Sequence, residues 1–139
     1  MALTPTPYGN NPFQPGVAQD VFIPDQLIAD PRLILTHGQR TITGGAYFKR
    51  GTVLGRITAS NKLTIATAAA NDGSQTPVEI LADDVDATAG DVNGGTYGGG
   101  EFNANAVILG AGITLAAARD ALAANRIFLR TPVSAADPT

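Results

Sequence analysis

The sequence predicts a mainly β, small α+β domain of short strands with one helix, preceded by an extended N-terminal arm. Three observations lead there. Apolar and polar residues alternate with period two in several short runs after Pro31, a pattern that puts one face of a strand on a core and the other in water. Only Leu115 to Ala124 combines strong helix formers with an apolar stripe. Pro5, Pro7, Pro12, Pro15, Pro24 and Pro31 hold six of the nine prolines, and proline opposes both helix and central strand.

The first segment, residues 1–31, lacks either hydrophobic period and reads as a Pro-rich extended arm with polyproline-like character. It still carries Tyr8, Phe13, Val17, Val21, Phe22 and Ile23. A plain spacer needs no such side chains, so the arm reads either as a disordered terminus or as a segment that orders against a partner. Residues 32–131 form the β-rich domain, and residues 132–139 a loose tail. There is no internal repeat.

Within the domain, Leu33, Leu35 and His37 alternate with Ile34 and Thr36. Thr52 to Thr58 and Lys62 to Ile65, joined at Ser60-Asn61, read as a hairpin. Val78, Ile80 and Ala82 are expected on one face, with Glu79 and Asp83 on the other. Phe102, Ala104, Ala106 and Ile108 continue the alternation. The glycine-dense run Asn93 to Gly100 reads as a mobile hairpin loop. Thr114 is the expected N-cap of the helix, Leu115, Ala118 and Leu122 its apolar stripe, and Asn125 its exit. Ile127-Phe128-Leu129 makes a last strand.

Composition excludes several function classes. There are no cysteines, which removes disulfides, thiolate catalysis and Cys-ligated zinc. The net charge is -3 and the basic residues are scattered, so direct nucleic-acid binding is not expected. Met1 to Asp20 shows no charged start followed by an apolar run, so no signal peptide is read. The longest apolar stretch, Ala106 to Ala118, is too short for a bilayer, and no membrane partner is expected.

No catalytic, cofactor or metal site emerges. Gly110-Ala111-Gly112 between apolar runs looks like a dinucleotide-binding turn. However, Leu115 replaces the third glycine, no acid follows at the required distance, and too little chain remains to build a crevice. Asp83, Asp84, Asp86 and Asp91 could offer oxygens to calcium, but the spacing of a calcium loop is absent, and a solvated turn or contact surface is the simpler reading. His37 is the only histidine and has no matched nucleophile. The expected function is therefore non-enzymatic.

The ordered pieces Arg50 to Gly55, Asp72 to Gln75, Ile80 to Asp91, Gly100 to Asn103, Thr114 to Ala117 and Ile127 to Leu129 together resemble the lambda-type phage head-decoration protein family, from about Tyr47 to Leu129. Glu79 and Arg126 depart from it, each standing where a glycine is common, which bears on the local turn geometry. The arm is not matched by motif.

This resemblance implies a β-clip or β-tulip domain. It implies a homotrimer at local three-fold positions of the expanded phage head, on the outer surface of the virion, made in the host cytoplasm. It implies arms that order against the major capsid protein by strand addition and stabilise the shell against internal DNA pressure. Pro5, Pro7, Tyr8, Pro12, Phe13 and Val17 are the expected capsid-binding residues of the arm. The alternative is a trimeric β-structural tail or fibre-associated module.

Overall fold

The computed structural model describes residues 25–132. It is mostly β with one helix, the class the alternation predicts. The strands are β1 (Ile28–Ile42), β2 (Tyr47–Phe48), β3 (Val53–Arg56), β4 (Leu63–Ile65), β5 (Pro77–Leu81), β6 (Val85–Asp86), β7 (Val92–Asn103) and β8 (Ile127–Arg130), with helix α1 (Leu115–Ala123) before the last.

The main sheet closes on itself. Its order is β1-β4-β3-β5-β7-β8, and β1 pairs with β7 as well. Strands β1, β4, β3, β5 and β7 thus form a small ring. The seam is narrow: β1 meets β4 in parallel only at Ile42↔Leu63. The long side is the antiparallel β1–β7 ribbon, from Ile28↔Phe102 to Ile42↔Val92, with several register shifts. One shift leaves Pro31 between the pairs Asp30↔Glu101 and Leu35↔Gly99, an irregularity where a residue without an amide hydrogen is tolerated. Strand β1 therefore begins at Ile28, ahead of the boundary expected at residue 31.

Two apolar cores lie on opposite faces of the ring. Ile42, Leu54, Leu63, Leu81 and Val85 pack inside it. Val53, Ile80, Tyr97 and Phe102 face outward and are covered by Ala118 and Leu122 of α1 and by Ile127 and Leu129 of β8. Leu27 packs there too, and its carbonyl accepts from the Asn103 amide at 2.8 Å. Burying such side chains contributes roughly 1.5–3 kcal/mol each before conformational entropy is subtracted.

The expected hairpin is present: β3 and β4 pair antiparallel, and Asn61 takes a positive φ of 58° at the turn. The expected cap is present as well, since Thr114 Oγ1 accepts from the Ala117 amide at 3.2 Å.

Four local expectations are corrected. Asn93 to Gly100 is not a loop but most of β7, the central strand of the fold. Its neighbours on both sides fill the space that glycine leaves open. The alternation after Phe102 ends at Asn103, whose Oδ1 accepts from the Asn105 amide at 2.9 Å and turns the chain. The residue in the left-handed region after α1 is Arg126, φ 61°, not Asn125. Finally, Val78 and Ile80 face different cores, because the β3–β5 register shifts between Leu54↔Glu79 and Gly55↔Pro77.

Candidate functional site

The inward face of the ring changes character along its length. At the Val92 end it is apolar. Further along β7 it becomes ionic, and past Gly98 it opens into a groove.

The ionic part centres on Glu79, expected to face solvent but only 3% exposed. Strand β5 points Glu79 and Leu81 to the same side, into the ring. Glu79 Oε1 lies 3.0 Å from Arg56 Nη2 and 3.2 Å from Arg40 Nη2. Its Oε2 accepts from the Thr96 hydroxyl on β7. Arg40 Nη2 also lies 2.8 Å from His37 Nδ1. A guanidinium can only donate, so Nδ1 is the acceptor in this arrangement. The 3.5 Å approach of His37 to Glu79 is then not an ion pair. Arg40 Nε is buried with no partner among the described residues. A buried carboxylate is tolerated only when its lone pairs are met by donors, and here three side chains meet them.

The groove, of about 500 Å³, is lined by Leu33, Leu35, Gly98, Gly99, Gly100 and Phe128, with Glu101 and Arg126 at its rim. Leu33 is 79% exposed, Leu35 55% and Phe128 44%. Phe128 points here because its neighbours in β8, Ile127 and Leu129, alternate into the outer core. Three large exposed apolar side chains around a glycine floor form a contiguous patch, the mark of an interaction surface rather than of scattered surface leucines.

At the other end of β7, the acidic residues divide among separate partners. Asp84 accepts from the Tyr47 hydroxyl at 2.6 Å and from the Arg50 amide at 2.7 Å. Those two bonds, the hydroxyl first, hold its carboxyl below the usual carboxylate range. Asp86 accepts from Thr88 in a local turn, and Asp91 pairs with Lys62. Among the described residues no group of three or more acidic, His or Cys side chains could hold a metal ion, and no helix is long and apolar enough to cross a membrane.

The Gly-x-Gly segment is a tight turn. A Cβ on Gly110 would lie 1.9 Å from the Ala66 carbonyl oxygen, so the two backbones touch there. Pro5, Pro7, Tyr8, Pro12, Phe13 and Val17 lie outside the described residues.

Sequence reasoning missed the Glu79 cluster. The available signal was a glutamate bracketed by Val78, Ile80 and Leu81, but its partners come from strands far away in the chain. It also missed the groove, because it assigned the glycine floor to a loop.

With this geometry in place, comparison with known families is decisive. The family model for bacteriophage lambda head decoration protein D matches residues 18–128. The chain belongs to this family. It is a bacteriophage head decoration protein, a structural component associated with the phage capsid. No curated protein matches the chain. The matched region contains the ring, the Glu79 cluster and the groove. It begins at Ala18, after the arm residues named above.

In this decoration protein, Glu79 does not sit in a turn, as a glycine at that position would suggest; it lies in β5 with its charge met from β1 and β3. Arg126, the other departure, adopts the glycine-like backbone itself.

Proposed function

We propose that this decoration protein acts as a homotrimer at local three-fold positions on the outer surface of the expanded phage head, and stabilises the shell against internal DNA pressure. The observation that carries the reading is the family match over residues 18–128. An open apolar groove beside the ring supports a binding role.

The N-terminal arm is the proposed capsid contact, through Pro5, Pro7, Tyr8, Pro12, Phe13 and Val17. It orders against the major capsid protein by adding a strand to an edge or extended loop. Ordering such a segment costs about 2–5 kcal/mol, so a single arm binds weakly. Three arms on one trimer raise the effective concentration and give avidity without a new kind of contact. Selectivity for mature heads follows if the site exists only after expansion, because binding then favours that state. The scattered basic residues support no direct contact with nucleic acid. Synthesis in the host cytoplasm and assembly onto finished shells complete the reading.

The test is co-sedimentation with expanded, undecorated shells, comparing the full chain with one lacking residues 1–25. Saturable pelleting of the full chain alone supports both the role and the arm. Equal pelleting removes the arm from the mechanism. No pelleting of either favours the tail or fibre-associated module.

A further inference from the structure

We propose that Arg50 is the positioning residue of the arm: it grips Asp25, holds a sharp turn at Gln26, and so fixes the point and direction from which the arm leaves the domain. The use of this latch in decoration rests on the arm reading above.

The root of the arm, Asp25 to Leu27, is held at both ends. Leu27 is buried in the outer core. Its carbonyl accepts from the Asn103 amide at 2.8 Å. Its side chain seats against Gly51, where a Cβ would lie 3.3 Å from Leu27 Cδ1 and 3.0 Å from the Ala106 carbonyl oxygen. Asp25 uses both carboxylate oxygens. One accepts from the Leu27 amide at 3.2 Å, closing an Asx turn, and the other accepts from Arg50 Nε. Two adjacent residues thus hold the root, the Arg50 side chain at Asp25 and the bare Gly51 backbone at Leu27.

Gln26, between them, shows what the grip does. It sits at φ 49°, in the left-handed region that a residue with a Cβ keeps only when its surroundings impose it. In that conformation the chain leaves the extended line of β1. Gln26 is exposed and makes no side-chain hydrogen bond among the described residues, so the constraint comes from its two neighbours.

Arg50 is itself fixed. Its Nη1 donates to the Tyr97 hydroxyl at 2.8 Å and to the Ala82 carbonyl. The guanidinium lies over the Tyr97 ring, 5.5 Å from its centroid, a favourable cation–π placement. A planar fork serves Asp25, Ala82 and Tyr97 from set directions, which a flexible lysine ammonium does not reproduce. Asp25 is 54% exposed, and such a pair contributes little to overall stability. Its effect falls on local geometry instead. A fixed root narrows the volume that an arm sweeps and lowers the entropy lost when it docks. With several arms on one assembly, it raises the effective concentration of the others once the first is bound.

The experiment is amide hydrogen exchange of the full chain and of Asp25→Ala, Gln26→Pro, Gln26→Gly and Arg50→Met, each then titrated onto expanded, undecorated shells. Two adjacent amides give the readout. The Asn103 amide is held by the Leu27 carbonyl of the root, and the Ala104 amide by the Arg130 carbonyl of β8, both at 2.8 Å. Asp25→Ala and Gln26→Pro are expected to speed exchange at Asn103 by about tenfold or more and to leave Ala104 unchanged, because a local opening need not involve the whole fold. Proline cannot take a positive φ, whereas glycine does so freely, so Gln26→Gly should keep the protection. Arg50→Met should act as Asp25→Ala does, and if it fails to fold the root variants decide alone. Shell affinity should fall in the variants that release the root, by about threefold for each arm that docks after the first, and should hold in Gln26→Gly.

Unchanged exchange at Asn103 in Asp25→Ala overturns the latch. So does exchange that rises equally at Asn103 and Ala104, which would make the pair a general support of the fold. A released root with undiminished shell affinity overturns the positioning role. The chain lacking residues 1–25 separates the two readings. If it pellets as tightly as the full chain, the arm is not the anchor, while selective exchange at Asn103 in the variants still upholds the latch.

Discussion

The His37 imidazole occupies the space that a side chain at position 98 would need: a Cβ on Gly98 would lie 2.5 Å from His37 Cε1 and 2.8 Å from Nε2. Through His37 this contact reaches Arg40 and the Glu79 cluster, and through Gly98 it reaches the groove. The bare strand and the ionic cluster are therefore one packing unit.

Gly98→Ala is expected to push the ring off Gly98 and break its bond to Arg40. Overpacking of this kind costs about 1–3 kcal/mol. Urea denaturation of Gly98→Ala, His37→Ala and the double variant measures it. The double variant should recover most of the loss attributable to the clash. Additive losses would mean that the two residues are not coupled.

The Glu79 carboxylate should tolerate loss of one arginine far better than loss of both. Arg40→Met or Arg56→Met leaves one guanidinium on Oε1. Together they leave a buried charge with only the Thr96 hydroxyl, an arrangement that costs about 3–5 kcal/mol. Glu79→Gln should cost less, about 1–2 kcal/mol, because the half-exposed arginines can turn to water. Equal losses for the double arginine variant and Glu79→Gln would refute this account.

Thr114→Ala should cost about 1 kcal/mol, since it leaves the Ala117 amide without its acceptor. Thr114→Ser should restore it. A thermal melt distinguishes the two, and an unchanged midpoint for Thr114→Ala would show that water replaces the cap at no cost.

Acid stability follows from three aspartates. The Arg50 side chain, and then the Leu27 amide, hold the Asp25 carboxyl below its ordinary range. The Tyr47 hydroxyl does the same for Asp84, and Lys62 for Asp91. A carboxyl depressed in the folded state contributes stability above its unfolded value, roughly pH 4. That contribution is lost as pH falls toward the lower folded values. The urea midpoint should hold steady from neutral pH to about 5 and decline below about 4. In Asp25→Asn the decline should be shallower, and an identical pH profile would exclude the Asp25–Arg50 pair from it.

Several elements were legible in the chain alone. The cap and stripe of α1, the β3–β4 hairpin around Asn61 and the tight turn at Gly110-Ala111-Gly112 each depend on a few neighbouring residues. Propensity and turn geometry act over that range. The family could be read as well, because its pieces keep their order along the chain.

The rest was decided by residues far apart in sequence. Asn93 to Gly100 is a strand because β1 and β5 flank it and His37, Ile42 and Val85 fill the space its glycines leave; in isolation the same run has no side chains to favour extension. Glu79 is buried because ring closure at Ile42↔Leu63 carries Arg40 and Arg56 to one face, whereas alternation alone would send it to water. The groove exists because β1 and β8 both pair with β7 and turn Leu33, Leu35 and Phe128 toward a shared glycine floor. Local preference set where the chain turns and caps. Cross-strand contact, which no local pattern encodes, set which charges are buried and which apolar side chains stay open to a partner.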